Sequence, residues 1–416
     1  MSCPSPQRLL IYSHDTFGLG HLRRARAIAH ALVEHRQDVS VLILSGSPLI
    51  GSYGFRSRVD FVKFPGVMKL KDGGYVAHGL DISIEDAIDI RRNIIKSAAE
   101  TFRPHIFLVD KEPVGLRGEV EPTLEMLKAT GKTRMVLGLR DILDDPETVN
   151  DEWERKGAVQ AVEDYYDTIW VYGHERVCDP LAGANVPESV RAKMDYVGYL
   201  RRTVNPPDGP LMIDGKELRQ PYLLVTTGGG GDGATLVDWV IRAYERYPDL
   251  HERAVIIFGP FLDRALQANF MARIEQLPQI VATDFVPNPE QFMAQAMGVI
   301  SMGGYNTVCE ILSFDKPSVI VPRSRPRLEQ TIRAQEMQSM GLLRMLSDAD
   351  AKDPRPMAEA IASLAHQAPP SMRGINGLMG GFDAICSAVD EWTAPPGSAR
   401  LSDAPPLMTG TGPYYR

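Results

Sequence analysis

The stretch Gly298-Val299-Ile300-Ser301-Met302-Gly303-Gly304-Tyr305-Asn306-Thr307-Val308-Cys309-Glu310 reads as a short buried strand, a glycine turn and the opening of an amphipathic helix. A strand that runs through glycines straight into a helix is the β-α unit from which parallel sheets are built. Working outward, the same unit recurs in two series. Upstream, strand-length apolar runs are expected at 9–13, 39–44, 59–64, 105–109, 134–139, 168–172 and 195–197, with helical patterns such as 22–34 and 84–101 between them. Around the quoted stretch, strands are expected at 222–226, 254–258, 280–283, 298–301, 318–321 and 342–346. The chain is therefore expected to be α/β, with two Rossmann-like doubly wound domains.

Between the series, residues 201–220 break both periodicities, and Asn205-Pro206-Pro207-Asp208-Gly209-Pro210 has the composition of a linker. This gives an amino-terminal domain over 1–203, a linker over 204–219 and a carboxyl-terminal domain over 220–392. The last helical pattern, about 377–392, is compatible with extending the second domain or with crossing back to the first. Residues 393–416 are rich in Pro, Gly and Ser and are expected to form a flexible tail.

A length of 416 residues exceeds one ordinary core and suits two domains with a cleft between them. The 44% apolar and 24% charged fractions are those of a globular protein. With 45 basic and 53 acidic residues the net charge is -8, which opposes general attraction to nucleic acid. No nucleic-acid partner is expected. The run from Leu9 to Tyr12 is too short for a signal-peptide core or an anchor, so a cytoplasmic location is expected. Cys3, Cys178, Cys309 and Cys386 are far apart and suggest neither a disulfide framework nor a zinc site.

Three glycine turns stand where α/β sheets place ligands, at the carboxyl ends of strands. The first, Gly18-Leu19-Gly20-His21-Leu22-Arg23-Arg24, puts His21 at a helix start, where the positive dipole end disfavours the imidazolium and leaves a neutral base. The same residues would equally serve a plain tight turn with a capping histidine. The second, Thr226-Thr227-Gly228-Gly229-Gly230-Gly231-Asp232-Gly233, can gather backbone N–H groups around a diphosphate, and no Gly-Lys-Ser/Thr follows to make it a Walker loop. The third is the quoted turn at Gly303 and Gly304, after which Glu310 can accept hydrogen bonds from ribose hydroxyls. Beyond the next strand, Arg323, Arg325 and Arg327 offer guanidinium groups to phosphate, while Glu329 and Gln330 can read sugar hydroxyls. Asp110, Lys111 and Glu112, and Arg140 with Asp141, follow strands of the first domain and are candidates for acceptor binding. Asp110 is also a candidate base, or a partner that orients His21.

Together these segments resemble family 28 glycosyltransferases, a GT-B fold group that includes the UDP-N-acetylglucosamine transferase forming lipid II. The resemblance covers both domains, and the chain is more similar to a less characterised bacterial branch than to the lipid II enzyme itself. It implies a donor site in which Gly20, Gly228, Gly229, Gly230, Gly303, Gly304, Asn306 and Thr307 surround the diphosphate, Glu310 holds the ribose, and Phe285 and Val286 meet the nucleobase. Glu329 and Gln330 stand where the lipid II enzyme usually has a Gln-Gln pair, which counts against N-acetylglucosamine as the donor sugar.

The implied reaction is transfer of a sugar from a nucleotide diphosphate donor, expected to be a UDP-sugar, to an acceptor hydroxyl with inversion. His21 is the expected base, and neither a metal ion nor a cofactor is expected, the nucleotide sugar being a co-substrate. The acceptor is expected to be lipid-linked or a saccharide, with peripheral contact at the inner face of a membrane and a place in cell-envelope or polysaccharide synthesis. Other readings are a nucleotide-sugar hydrolase using the same Gly-x-Gly-His loop, a sugar-nucleotide 2-epimerase, and a nucleotide-sugar-binding protein without catalysis.

Overall fold

The computed structural model describes residues 6–14, 20–70, 74–204, 209–213, 215–218, 221–229, 231–286 and 288–394. Gly18, Gly230, residues 205–208, 214 and 219 of the expected linker and the expected tail beyond Ala394 lie outside the described residues.

In the amino-terminal half, β1 (Gln7–Ser13), β2 (Val39–Ser45), β3 (Val59–Lys63), β6 (Ile106–Asp110), β7 (Arg134–Arg140), β8 (Thr168–Tyr172) and β9 (Met194–Tyr196) form one parallel sheet in the order β3-β2-β1-β6-β7-β8-β9. β1 sits at its centre, with Leu10 opposite Leu42 on one side and Phe107 on the other. Helices α1 (Gly20–His35), α2 (Ile84–Phe102), α3 (Glu121–Thr130), α4 (Pro146–Arg155), α5 (Ala158–Tyr165) and α6 (Glu188–Arg191) cover this sheet. In α1, Leu22, Ala25, Ile28, Ala29, Leu32 and Val33 make the three-and-four spacing of a buried helix face. An antiparallel hairpin, β4 (Gly66–Lys69) with β5 (Tyr75–His78), rises outside the sheet. It is absent from the strand expectations, although its short alternating runs flank an Asp-Gly-Gly turn signal at 72–74.

The carboxyl-terminal half begins with a two-stranded flap, β10 (Met212–Ile213) and β11 (Lys216–Glu217). Its parallel sheet runs β14-β13-β12-β15-β16-β17, from β12 (Leu223–Thr226), β13 (Ala254–Ile257), β14 (Ile280–Thr283), β15 (Gly298–Ser301), β16 (Ser318–Ile320) and β17 (Arg344–Met345). All four residues of β12 are buried, as a strand covered on both faces requires. The helices of this half are α7 (Ala234–Arg246), α8 (Arg264–Ile274), α9 (Pro289–Gln295), α10 (Tyr305–Ser313), α11 (Glu329–Ser339) and α12 (Arg355–Leu364). In both sheets the first strand lies centrally, the chain filling one side of it before returning to fill the other, and this reversal opens a ligand crevice at the strand ends.

Of the two destinations open to the last helix, α13 (Gly381–Thr393) takes the second and crosses back. Ile385, Cys386 and Val389 join the core formed by α1 and the face of the first sheet. Trp392 stacks on the buried Trp170, ring centroids 5.4 Å apart and 7° from parallel. Asp390 accepts from His35 Nε2 at 2.7 Å. The span 220–392 thus leaves its final helix on the amino-terminal domain. The crossing requires two glycines: a Cβ on Gly198 would lie 2.6 Å from Gly377 O, and one on Gly381 would lie 2.7 Å from Gly198 O. Trp392→Ala should lower stability by about 3 kcal/mol, the low end for a truncated core tryptophan. Denaturant unfolding checks this, and an unchanged midpoint would mean that α13 adds nothing to the core.

Candidate active site

β6 ends at Asp110, whose carboxylate is 3% exposed and closed off from water. Such a group needs a cation, and Arg24, one turn into α1, supplies it with Nη2 2.7 and 2.8 Å from the two oxygens and Nε 2.9 Å from Oδ1. His21 lies one helical turn before Arg24, so the two side chains share a face of α1. Its Nδ1 is 2.5 Å from Asp110 Oδ2. The ionised Asp110 carboxylate can only accept, so the shorter contact calls for the tautomer in which Nδ1–H donates to Asp110 and Nε2 carries the free lone pair; Arg24 Nη2, 3.0 Å from the same Nδ1, then finds no lone pair there. Burial pulls the His21 imidazole down to about 4, against the raising effect of Asp110. Burial alone would raise the Asp110 carboxyl, but Arg24 and His21 hold it well below the usual carboxylate range. The pair is a neutral imidazole oriented by a permanent carboxylate, the arrangement a general base requires.

Facing this pair across the crevice is the turn from β15 into α10. Gly303 has φ +74°, and a Cβ there would come 2.6 Å from Ile320 Cγ2. Gly304 is the N-cap of α10, no side chain caps the first amides of that helix, and no atom approaches within 4 Å of where a Gly304 Cβ would be, so the turn has open space beside it. The two halves come close here: a Cβ on Gly20 would lie 2.9 Å from Asn306 Nδ2. Asn306 Oδ1 accepts from Arg202 Nη2 at 2.9 Å, and Thr307 is half-buried beside it. Gly228, with φ +69°, and Gly229 form an exposed loop after β12. Beyond β14, Phe285 is 59% exposed while Val286 is buried.

Arginines of the first half hold both carboxylates expected at the donor side. Arg23 Nη2 reaches Glu310 Oε1 at 2.8 Å, and Arg140 Nη2 reaches Glu329 Oε2 at 2.7 Å. Burial pushes the Glu310 carboxyl up against the lowering pull of Arg23. Arg323 bridges Asp232 Oδ2 at 2.7 Å and Glu329 Oε1 at 3.3 Å, and its backbone amide donates to Gln330 Oε1 at 3.1 Å. Arg325 is exposed, whereas Arg327 is paired with Asp144 at 2.8 Å and with Glu152. The Nε–H groups of Arg140 and Arg323 are buried with no partner among the described residues.

One acceptor-side candidate, Asp141, has a structural role. Asp141 is fully buried and clamped by Arg333, at 2.7 Å to Nε and 2.8 Å to Nη2, and by Tyr199 Oη at 2.7 Å, so it cannot meet a substrate. Lys111 pairs with Glu112 at 3.3 Å, and Glu112 also takes Lys156 at 2.8 Å. Sequence reasoning assigned no role to Arg24, although its three-residue spacing from His21 was a signal for a shared face. Beside His14, whose ring meets that of His21 edge-on at 5.8 Å, opens a cavity of about 950 Å³ lined by Tyr75, Tyr165, Glu112, Glu152, Arg155 and Lys156 among others.

Two predictions follow from this chemistry. The His21 ring should remain neutral through pH 5 and gain its proton only as pH falls through about 4; an NMR titration with a midpoint near the ordinary histidine value would show a solvated ring. Asp141→Ala should cost about 3–5 kcal/mol in unfolding experiments, because it leaves the Arg333 guanidinium buried without a counter-charge.

Residues 223–374 match the glycosyltransferase family 28 C-terminal domain. No curated protein matches the chain. Among solved structures, the glycosyltransferase of kitacinnamycin is 16% identical with a TM-score of 0.65, covering 94% of this chain and 100% of that one. Acinetobacter baumannii MurG is 13% identical with a TM-score of 0.55 over 93% and 99% of the two chains. Medicago truncatula UGT71G1 complexed with UDP-glucose is 13% identical with a TM-score of 0.62 over 93% and 98%. At these identities the likeness is one of fold, the GT-B arrangement of two Rossmann-like halves.

Proposed function

We propose that this GT-B glycosyltransferase, whose residues 223–374 carry a family 28 C-terminal domain, moves a sugar from a UDP-sugar to an acceptor hydroxyl with inversion. One observation carries the reading: the His21–Asp110 pair stands across the crevice from the uncapped first amides of α10, with Gly20 and Asn306 close enough that a single added carbon would clash. A base and an anion-binding helix start are thereby brought to one place.

In this reading His21 Nε2 takes the proton of the acceptor hydroxyl while the oxygen attacks the anomeric carbon from the side opposite the diphosphate. The bond between that carbon and the phosphate oxygen breaks, and its electron pair leaves with the nucleotide. Asp110 stabilises the imidazolium that forms. The departing charge falls to the amides of α10, the loop at Gly228 and Gly229, and the guanidinium groups of Arg323 and Arg325, without a metal ion. The buried, unpaired Nε–H groups of Arg140 and Arg323 are donors suited to phosphate or sugar oxygens. Phe285 and Val286 would meet the nucleobase, and Glu329 with Gln330 the sugar hydroxyls. Glu310 reaches the ribose only by sharing or releasing Arg23. UDP as the nucleotide is further supported by the UDP-glucose in the UGT71G1 complex.

In this reading the acceptor occupies the cavity beside His14. Its tyrosines and charged groups suit a polar, saccharide-like molecule better than a prenyl chain, since saccharides offer both ring faces and hydroxyls. Among the described residues no helix is long and apolar enough to cross a membrane.

His21→Ala should lower kcat by about 10²–10⁴-fold and leave donor affinity, measured by calorimetry, nearly unchanged. Retained turnover would remove His21 as the base. Glu310→Ala should weaken UDP binding by about tenfold or more, as loss of a charged hydrogen-bond acceptor would; an unaltered dissociation constant would take Glu310 away from the ribose. Sugar release from donor alone, equally fast with and without acceptors, would replace transfer by hydrolysis.

A further inference from the structure

Tyr305 is the first residue of α10, directly after the open Gly304 turn, yet its ring is buried in the other half of the molecule. Its hydroxyl donates to Tyr172 O of β8 at 2.9 Å. The Arg24 guanidinium carbon lies 5.6 Å from the centre of the Tyr305 ring and 5.4 Å from that of Tyr172. The cation is thus held between one aromatic ring from each half, and it makes three hydrogen bonds to Asp110. Asp110 in turn fixes His21. From the turn read as the diphosphate site to the ring read as the base there is an unbroken series of direct contacts, Tyr305 to Arg24 to Asp110 to His21.

We infer that Tyr305 and Arg24 are positioning residues through which the donor-side helix α10 sets the geometry of the His21–Asp110 pair. The proposal rests on the reading of His21 as the base. Neither residue touches the reacting atoms; each acts through its neighbour. Because Tyr305 follows the helix-start turn immediately, its ring beside Arg24 ties the turn that would hold a diphosphate and the His21–Asp110 pair into one frame.

Four groups surround His21. Asp110 and Arg24 touch it, Lys111 follows Asp110 on the same strand end, and His14 meets its ring edge-on. Of these, Asp110 raises the imidazole's proton affinity, while Arg24 and Lys111 lower it. Loss of the Arg24 charge therefore moves the acidic limb of the rate profile to higher pH, the sign being fixed because the base works only when neutral.

The test is steady-state kinetics on the full-length chain with a donor and acceptor pair that it turns over, beside calorimetric UDP affinity and thermal unfolding. Tyr305→Leu removes the ring and should lower kcat by about tenfold or more, with UDP affinity within about twofold of the parent. Tyr305→Phe keeps the ring under Arg24 and should recover most of that rate. Arg24→Lys keeps a cation but loses the two-pronged grip, and should lower kcat by about 100-fold. Arg24→Met should in addition shift the acidic limb upward. The proposal is overturned if Tyr305→Leu and Arg24→Lys fold and keep the parent kcat and pH profile, or if Tyr305→Phe is as slow as Tyr305→Leu. Should the Arg24 variants fail to fold, the Leu and Phe pair at position 305 decides alone. His21→Ala separates the two layers: if it leaves the rate intact the base assignment fails, whereas an inactive His21→Ala beside fully active Tyr305→Leu sinks only the positioning role.

Discussion

A carboxylate shut away from water at the end of a parallel strand is costly unless a cation reaches it, and the site is organised around how Asp110 meets that demand. Arg24 answers it from α1, and in doing so fixes the rotation of that helix against the sheet, which brings His21 to the same carboxylate. The tautomer and the low proton affinity of the imidazole then follow from placement. Burial disfavours the charged ring, while Asp110 takes its Nδ1–H and leaves the Nε2 lone pair free. One buried charge thus accounts for helix docking, for the orientation of the base and for its readiness at neutral pH.

The same rule governs the join between the halves. Arg333 and Asp141, both almost fully buried, form a pair across it, and Tyr199 Oη and the Ile142 amide donate to the carboxylate as well. Around that closed pair lie more open ones: Arg23 with Glu310, Arg140 with Glu329, and Arg327 with Asp144. Their differing burial implies different jobs. A dry pair resists separation, whereas partly wetted pairs exchange partners at modest cost, so the carboxylates facing the donor side keep a choice between an arginine and a ligand.

Much of the fold was legible because strands here are short apolar runs ended by glycines, and that punctuation is local. The strands expected at 9–13, 39–44, 222–226 and 298–301 recur within a residue or two as β1, β2, β12 and β15. The β4–β5 hairpin was not anticipated, since two four-residue strands outside a sheet carry too little apolar periodicity to stand out from a loop. At the site, residue types were readable but distances were not. His21 and Asp110 are 89 positions apart, and Arg23 and Glu310 are 287 apart, so only the folded chain shows which carboxylate each side chain meets. Asp141 illustrates the limit: it follows a strand as an acceptor-binding acid would, yet Arg333, far along the chain, converts it into an internal strut.

The return of α13 means that the polypeptide passes between the halves twice, once before β10 and again after Gly377. A body held by one tether can swivel about every axis, but one held by two swings chiefly about the line joining them. The halves of this molecule therefore resemble a book with a two-stitch spine: any opening would follow one arc and bring the pages back into register on closing.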